Sequence, residues 1–194
     1  MDVTLGRADA LLIVDVQRDF LPGGKLGVPE GDAVVPVLNR YIDTARKAGV
    51  PVFASRDWHP EKHCSFKPQG GPWPEHCVAG TVGAQFADGL RLPPDVVVID
   101  KAIREEVDAY SAFSGTTLAD QLRARGVKRL LVGGLATDYC VLNTVRDALR
   151  EGFGVVLLED AIRAVNVNPE DGLRAKREME SRGAVPARYE EIAA

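Results

Sequence analysis

All three histidines of this 194-residue chain, His59, His63 and His76, fall in one window. It runs from Ser55-Arg56-Asp57-Trp58-His59-Pro60 to Trp73-Pro74-Glu75-His76-Cys77. Imidazole is the commonest protein ligand for transition metals. Asp57 and His59, two apart in an extended segment, face the same way, and His76 returns from the far end of the loop. Two imidazoles and one carboxylate leave coordination positions open, which suits a substrate-binding metal better than a closed structural one. Two other readings stay open on spacing alone. One is a loop closed by side-chain hydrogen bonds. The other is a structural zinc on His63, Cys64, His76 and Cys77, whose spacing departs from the usual paired-ligand patterns. His63, nearer the loop tip, is a further ligand or a supporting group.

A second set of residues follows apolar runs. Asp15 ends Leu11-Leu12-Ile13-Val14, and a carboxylate there needs a partner if buried. Lys101 directly follows Val96-Val97-Val98-Ile99-Asp100, as a solvated surface lysine or as that buried partner. Cys140 lies in Gly133-Gly134-Leu135-Ala136-Thr137-Asp138-Tyr139-Cys140, where a run of apolar residues turns into a helical pattern. With Thr137 or Asp138 as N-cap, a thiol in that first turn would feel the positive end of the helix dipole and favour the thiolate. The alternative is a small buried hydrophobe. A carboxylate beside a thiol can exchange a proton with it. Phe20 and Trp73 either sandwich a flat ring or pack in the core.

The elements that must position these groups are legible as continuous apolar runs, the pattern of strands buried on both faces. They are Ala10 to Val16, Pro51 to Ala54, Asp95 to Ile99, Arg129 to Val132 and Gly154 to Leu158, with a shorter sixth at Ala184 to Pro186. Helical patterns span Ala33 to Ala48, Thr116 to Arg125, Tyr139 to Glu151 and Pro169 to Arg182. Each stops at a glycine (Gly49, Gly126, Gly152, Gly183), the residue that ends a helix in the left-handed conformation. Strand and helix in alternation predict a doubly wound α/β fold, a mainly parallel sheet of five or six strands with helices on both faces. Ligands of such sheets bind beyond the carboxyl ends of the strands, where Asp15, Asp57, His59, Lys101 and Cys140 all fall. The irregular stretch from about Pro60 to Gly83 is long enough to be functional.

Composition narrows the partners. A make-up of 45% hydrophobic and 27% charged residues is that of one soluble globular domain over residues 1–194. A net charge of -4 with scattered Lys and Arg argues against nucleic acid. The apolar runs fall far short of the roughly 20 residues of a membrane span. The first ten residues lack the order of a signal peptide, so a cytoplasmic location is expected. Three cysteines without a C-x-x-C pair point to free thiols.

Four motifs occur in order: Asp15-Val16-Gln17-Arg18-Asp19-Phe20, Ser55 to Phe66 beginning Ser55-Arg56-Asp57-Trp58-His59-Pro60, Trp73-Pro74-Glu75-His76-Cys77-Val78, and Gly134-Leu135-Ala136-Thr137-Asp138-Tyr139-Cys140-Val141. With Leu21-Pro22-Gly23-Gly24 and Val107-Asp108-Ala109-Tyr110-Ser111-Ala112-Phe113, they make the chain resemble the nicotinamidases, of the isochorismatase-like cysteine hydrolases, nearly end to end. The resemblance implies hydrolysis of nicotinamide to nicotinate and ammonia, with acceptance of the isostere pyrazinamide. It implies a triad of Asp15, Lys101 and Cys140. It also implies an oxyanion hole of the Ala136 and Cys140 backbone amides beside a cis Leu135-Ala136 peptide, and substrate contacts from Phe20, Trp73, Leu135 and Tyr110. The implied cofactor is one divalent metal, zinc before iron or manganese, on Asp57, His59 and His76, with His63 as a further candidate. A small-molecule substrate and a homo-oligomer are the implied partners. One departure is Lys101-Ala102, where relatives often carry Lys-Gly. Isochorismatases and carbamoyl amidohydrolases share the build, but isochorismatases generally lack the metal loop, so Asp57, His59, His76 and Cys140 together speak against them.

Overall fold

The computed structural model describes residues 3–193. Six parallel strands form one sheet: β2 (Asp9–Val14), β3 (Val52–Asp57), β4 (Val97–Lys101), β5 (Arg129–Leu135), β6 (Gly154–Arg163) and β7 (Val185–Ala187). Their order is β4-β3-β2-β5-β6-β7. The chain winds outward from β2 in one direction and then from β5 in the other, so the crevice between those two strands is the switch point where such sheets bind ligands. β1 (Val3–Thr4) and β8 (Ile192–Ala193) pair separately and tie the two ends of the described chain together.

Continuous apolar strands bury both faces because helices cover both. Leu11, Ile13, Ala54, Leu131 and Val156 pack with Leu38, Tyr41 and Ile42 of α1 (Val34–Lys47). Their neighbours Leu12, Phe53, Leu130, Val132 and Leu157 face the other way. There they meet Leu122 of α2 (Leu118–Ala124), Val145 of α3 (Leu142–Arg150) and Met179 of α4 (Asp171–Ser181). The predicted helices shorten at their ends, but Gly49, Gly126, Gly152 and Gly183 all take positive φ just beyond them.

Two boundaries differ in ways that matter for the site. β3 runs on through Ser55, Arg56 and Asp57, past the predicted end at Ala54, because pairing with β4 carries the polar residues along. The helix predicted from Tyr139 begins instead as one turn of π-helix over Thr137–Val141, and α3 starts after it. Gly134 permits the approach of β5 to β2: its φ is +127°, and a Cβ there would lie 2.1 Å from the Val14 carbonyl oxygen.

The α3 and α4 helices are clamped by Glu178. It accepts hydrogen bonds from Arg146 Nε at 2.8 Å and Nη2 at 2.7 Å, and from Arg182 Nε at 2.7 Å. The Arg146 hydrogen bonds above all hold its carboxyl down to about 2. A depressed carboxyl contributes stability above its unfolded value, and that contribution fades as pH falls toward about 2. Glu178→Gln is therefore expected to cost about 0.5–1 kcal/mol at neutral pH, as a partly exposed pair does. Chemical denaturation at pH 7 and pH 2 checks this: the difference from the parent protein should vanish at the lower pH.

Candidate active site

β3 and β4 end side by side, with Asp57 and Lys101 in register as their last residues. That register brings the Lys101 ammonium onto the Asp57 carboxylate. Asp15, just past β2, has its amide on the Ser55 carbonyl at 3.1 Å and accepts the Ser55 hydroxyl at 2.7 Å. From there its Oδ2 lies 2.9 Å from Lys101 Nζ. Cys140 arrives from the turn after β5 and places Sγ 3.6 Å from the same ammonium, which also donates to the Ala109 carbonyl at 3.2 Å. One cation thus touches two carboxylates, a thiol and a backbone oxygen, all buried.

Burial dominates the electrostatics and raises the Asp15 carboxyl, against the opposing effect of Lys101. For Cys140 burial likewise pushes the thiol up, Lys101 pulls it down, and the two carboxylates push it further up, well above the ordinary value. Burial works against the Lys101 ammonium, but Asp15 and Asp57 outweigh it and keep the charge. Burial and the two carboxylates thus favour the Cys140 thiol over the thiolate expected from a helix dipole. The π-turn has no side-chain cap, and Asp138 instead accepts the amides of Val165 and Asn166 at 2.9 and 2.8 Å. Asp15 Oδ2 has an ion pair but no directed hydrogen bond among the described residues, which leaves it a lone pair for a proton.

Asp57, His59 and His76 offer ligand atoms within 4.8 Å of one another. His59 Nδ1 meets the His76 carbonyl at 2.9 Å, and His76 Nδ1 meets the Pro74 carbonyl at 2.7 Å. A carbonyl accepts, so each Nδ1 carries the hydrogen and each Nε2 keeps a free lone pair, the arrangement of a metal-binding imidazole. Burial holds the His59 ring neutral, with its pKa down to about 3. These donors fit a divalent cation. Asp15, Asp57 and Cys140 form a second close cluster, but the Lys101 ammonium already sits on all three. His63 stacks 4.3 Å from His59, yet its Nε2 donates to the Val107 carbonyl at 3.1 Å and its Nδ1 pairs with the Ser65 hydroxyl at 2.7 Å. The structural-zinc reading fails, because Cys77 packs into the apolar core instead of joining His63 and Cys64.

A cleft opens over these groups, lined by Phe20, Trp73, His76, Tyr110, Tyr139 and Cys140 among others. Trp73 donates its indole N–H to the Tyr110 hydroxyl at 3.0 Å and meets Tyr139 edge-on at 5.2 Å. Ala136 lines the same wall, and the Leu135-Ala136 peptide is cis. Such a cleft accepts a small flat molecule with its reacting carbon near sulfur.

A family model of the isochorismatase domain matches residues 9–191. The chain belongs to the isochorismatase family. This isochorismatase-family chain is 43% identical over 196 residues to a nicotinamidase of Escherichia coli, covering 90% of this chain and 92% of the relative. Among solved structures it is similar to a pyrazinamidase of Pyrococcus horikoshii in complex with zinc, with a TM-score of 0.90 and 50% identity over 94% of this chain and 99% of that one. It is also similar to PnC1 of L. infantum in complex with nicotinate, with a TM-score of 0.92 and 39% identity over the whole of both chains.

Of the residues predicted from sequence, the isochorismatase-family fold brings Asp15, Lys101, Cys140, Asp57, His59 and His76 together, with Phe20, Trp73, Tyr110 and Ala136 around the cleft. Leu135 does not line the cleft: its side chain is fully buried in the core on the α1 face. Sequence reasoning missed Tyr139 in the cleft wall and Ser55 on Asp15. Tyr139 adjoins Cys140, and Ser55 stands two residues before Asp57 on the same face of β3, the only signals either offered.

Proposed function

We propose that this chain hydrolyses nicotinamide to nicotinate and ammonia through a cysteine thioester. The observation that carries the reading is the shared Lys101 ammonium, which joins the acid, the thiol and a metal-donor carboxylate beneath an aromatic cleft that Asp57 and Cys140 line. Relatives named nicotinamidase and pyrazinamidase support it. Asp15 removes the Cys140 thiol proton as sulfur attacks the amide carbon, and Lys101 balances the charge left behind. The Ala136 and Cys140 amides are the donors for the resulting oxyanion. Asp15 then passes its proton to the amide nitrogen, which leaves as ammonia. Water attacks the thioester, gives a proton to Asp15, and sulfur regains it as nicotinate forms.

Asp57, His59 and His76 would hold one divalent metal, zinc in the first instance, while His63, its ring nitrogens engaged by Val107 and Ser65, stands outside the set. When bound, that metal supplies a Lewis-acid site for the pyridine nitrogen. Phe20, Trp73 and Tyr110 flank the ring. Among the described residues no Lys or Arg lines the cleft, so no basic side chain there selects a substrate carboxylate, which speaks against isochorismate or N-carbamoylsarcosine and for a neutral ring amide. The same reading carries one domain over residues 1–194, a cytoplasmic location and a homo-oligomer.

Ammonia release from nicotinamide tests the reading, and no release from nicotinamide or pyrazinamide overturns it. Stripping the metal with a strong chelator should lower kcat/KM for nicotinamide about 100-fold or more, the scale of several kcal/mol of lost coordination. Benzamide, without a ring nitrogen, should be a poor substrate whose rate barely responds to the chelator.

A further inference from the structure

The turn after Asp15 carries two buried polar side chains that the chemistry above does not use. Gln17 is fully buried and makes three hydrogen bonds, all to main chain. Its Oε1 accepts the Asp57 amide at 2.8 Å, and its Nε2 donates to the Asp57 carbonyl at 2.8 Å and to the Ala84 carbonyl at 2.9 Å. Asp57 is thereby gripped by both of its backbone polar groups, as a neighbouring strand would grip it. Asp19, also buried, accepts the Cys77 amide at 2.8 Å. Cys77 follows His76, has φ of +48°, and gives its carbonyl to the His59 amide at 3.0 Å. Asp19 has little room to move, since a Cβ on Gly83 would lie 2.2 Å from its Oδ2. Arg18, between them, points outward to an exposed ion pair with Asp88.

We propose that Gln17 and Asp19 are positioning residues that fix the two arms of the metal-donor set, Asp57 on one side and His59 with His76 on the other, against the strand that carries Asp15. The proposal rests on the metal reading above. Its physical content is preorganisation: donors held before the ion arrives lose less freedom on binding it. Asp15, Gln17 and Asp19 are all buried in this short turn, and Arg18 is its partly exposed member.

The test is zinc affinity of metal-stripped protein, measured by competition with a chromophoric chelator, together with the melting temperature of the metal-free form. Asp19→Ala should weaken zinc binding about 10- to 100-fold, the usual effect of removing an outer-shell partner. Asp19→Asn keeps an acceptor oxygen for the Cys77 amide and should recover most of that affinity. Gln17→Met, similar in volume but unable to bond Asp57, should weaken zinc as Asp19→Ala does, and Arg18→Ala should leave it unchanged. If Gln17→Met does not fold, the Asp19 pair decides alone. Zinc affinity unchanged in Asp19→Ala, with only a lower melting temperature, overturns the positioning role while leaving the metal reading intact. Parent protein that binds no zinc, iron or manganese overturns the metal reading and the proposal with it.

Discussion

Cys140→Ala is expected to abolish nicotinamide hydrolysis, lowering kcat by at least about 10⁴-fold, as loss of a covalent nucleophile does elsewhere. The reason lies in the division of labour around sulfur. Without Sγ the Asp15 carboxylate has no thiol to deprotonate, and water does not inherit the sulfur's position 3.6 Å from the Lys101 ammonium with the amide carbon in line. The substitution removes one buried atom and no charge, so the fold, the Asp15–Lys101 pair and the metal donors remain. The variant should accordingly bind nicotinamide and zinc much as the parent does, which separates a chemical defect from a folding one. Rapid quenching followed by mass spectrometry should find a nicotinoyl adduct on the Cys140 peptide of the parent protein and none in the variant. Retention of a tenth of the parent rate would remove the thioester from the mechanism.

The strands and helices that carry this site were readable because each signal was local. Val, Ile and Leu without alternation mark strands buried on both faces, and a glycine after each helical pattern marks where it stops. The order β4-β3-β2-β5-β6-β7 was not readable, since it depends on pairings between segments tens of residues apart. For the same reason the ion pair of Lys101 with Asp57 was hidden. Lys101 was legible as a partner for Asp15 and Cys140, but the β3–β4 register that delivers it to a metal donor is tertiary information. The end of β3 was misjudged because Ser55-Arg56-Asp57 looks like a loop when only hydrophobicity is counted. Those residues stay in the strand because each polar group has a partner: Ser55 on Asp15, Arg56 on Asp100, Asp57 on Gln17 and Lys101. The thiolate expectation left out burial and the two carboxylates, which all raise the Cys140 thiol against the one nearby cation.

Lys101→Met is expected to damage both stability and chemistry, and the two losses have one cause. In the parent protein the ammonium stands between Asp15 and Asp57 with its side chain wholly buried. A methionine of similar length fills the space but leaves two buried carboxylates facing each other. Breaking a buried pair in this way costs about 3–5 kcal/mol, or roughly 10 °C in melting temperature for a domain of this size. The strain is relieved if a carboxyl takes up a proton. Asp15 is the one that will, since burial already raises it and Lys101 is the main influence opposing that rise. A protonated Asp15 cannot accept the thiol proton, so kcat should fall by about 10²–10⁴-fold, the range attributed to general acid–base catalysis. The signature is in the pH profile: residual activity of the variant should climb with pH above neutrality, as Asp15 is forced to ionise, where the parent is level. The added stability loss should grow over the same range. A variant that keeps the parent rate and a level profile would show that the amine serves only the fold, and would leave Asp15 to work on Cys140 without a counter-charge.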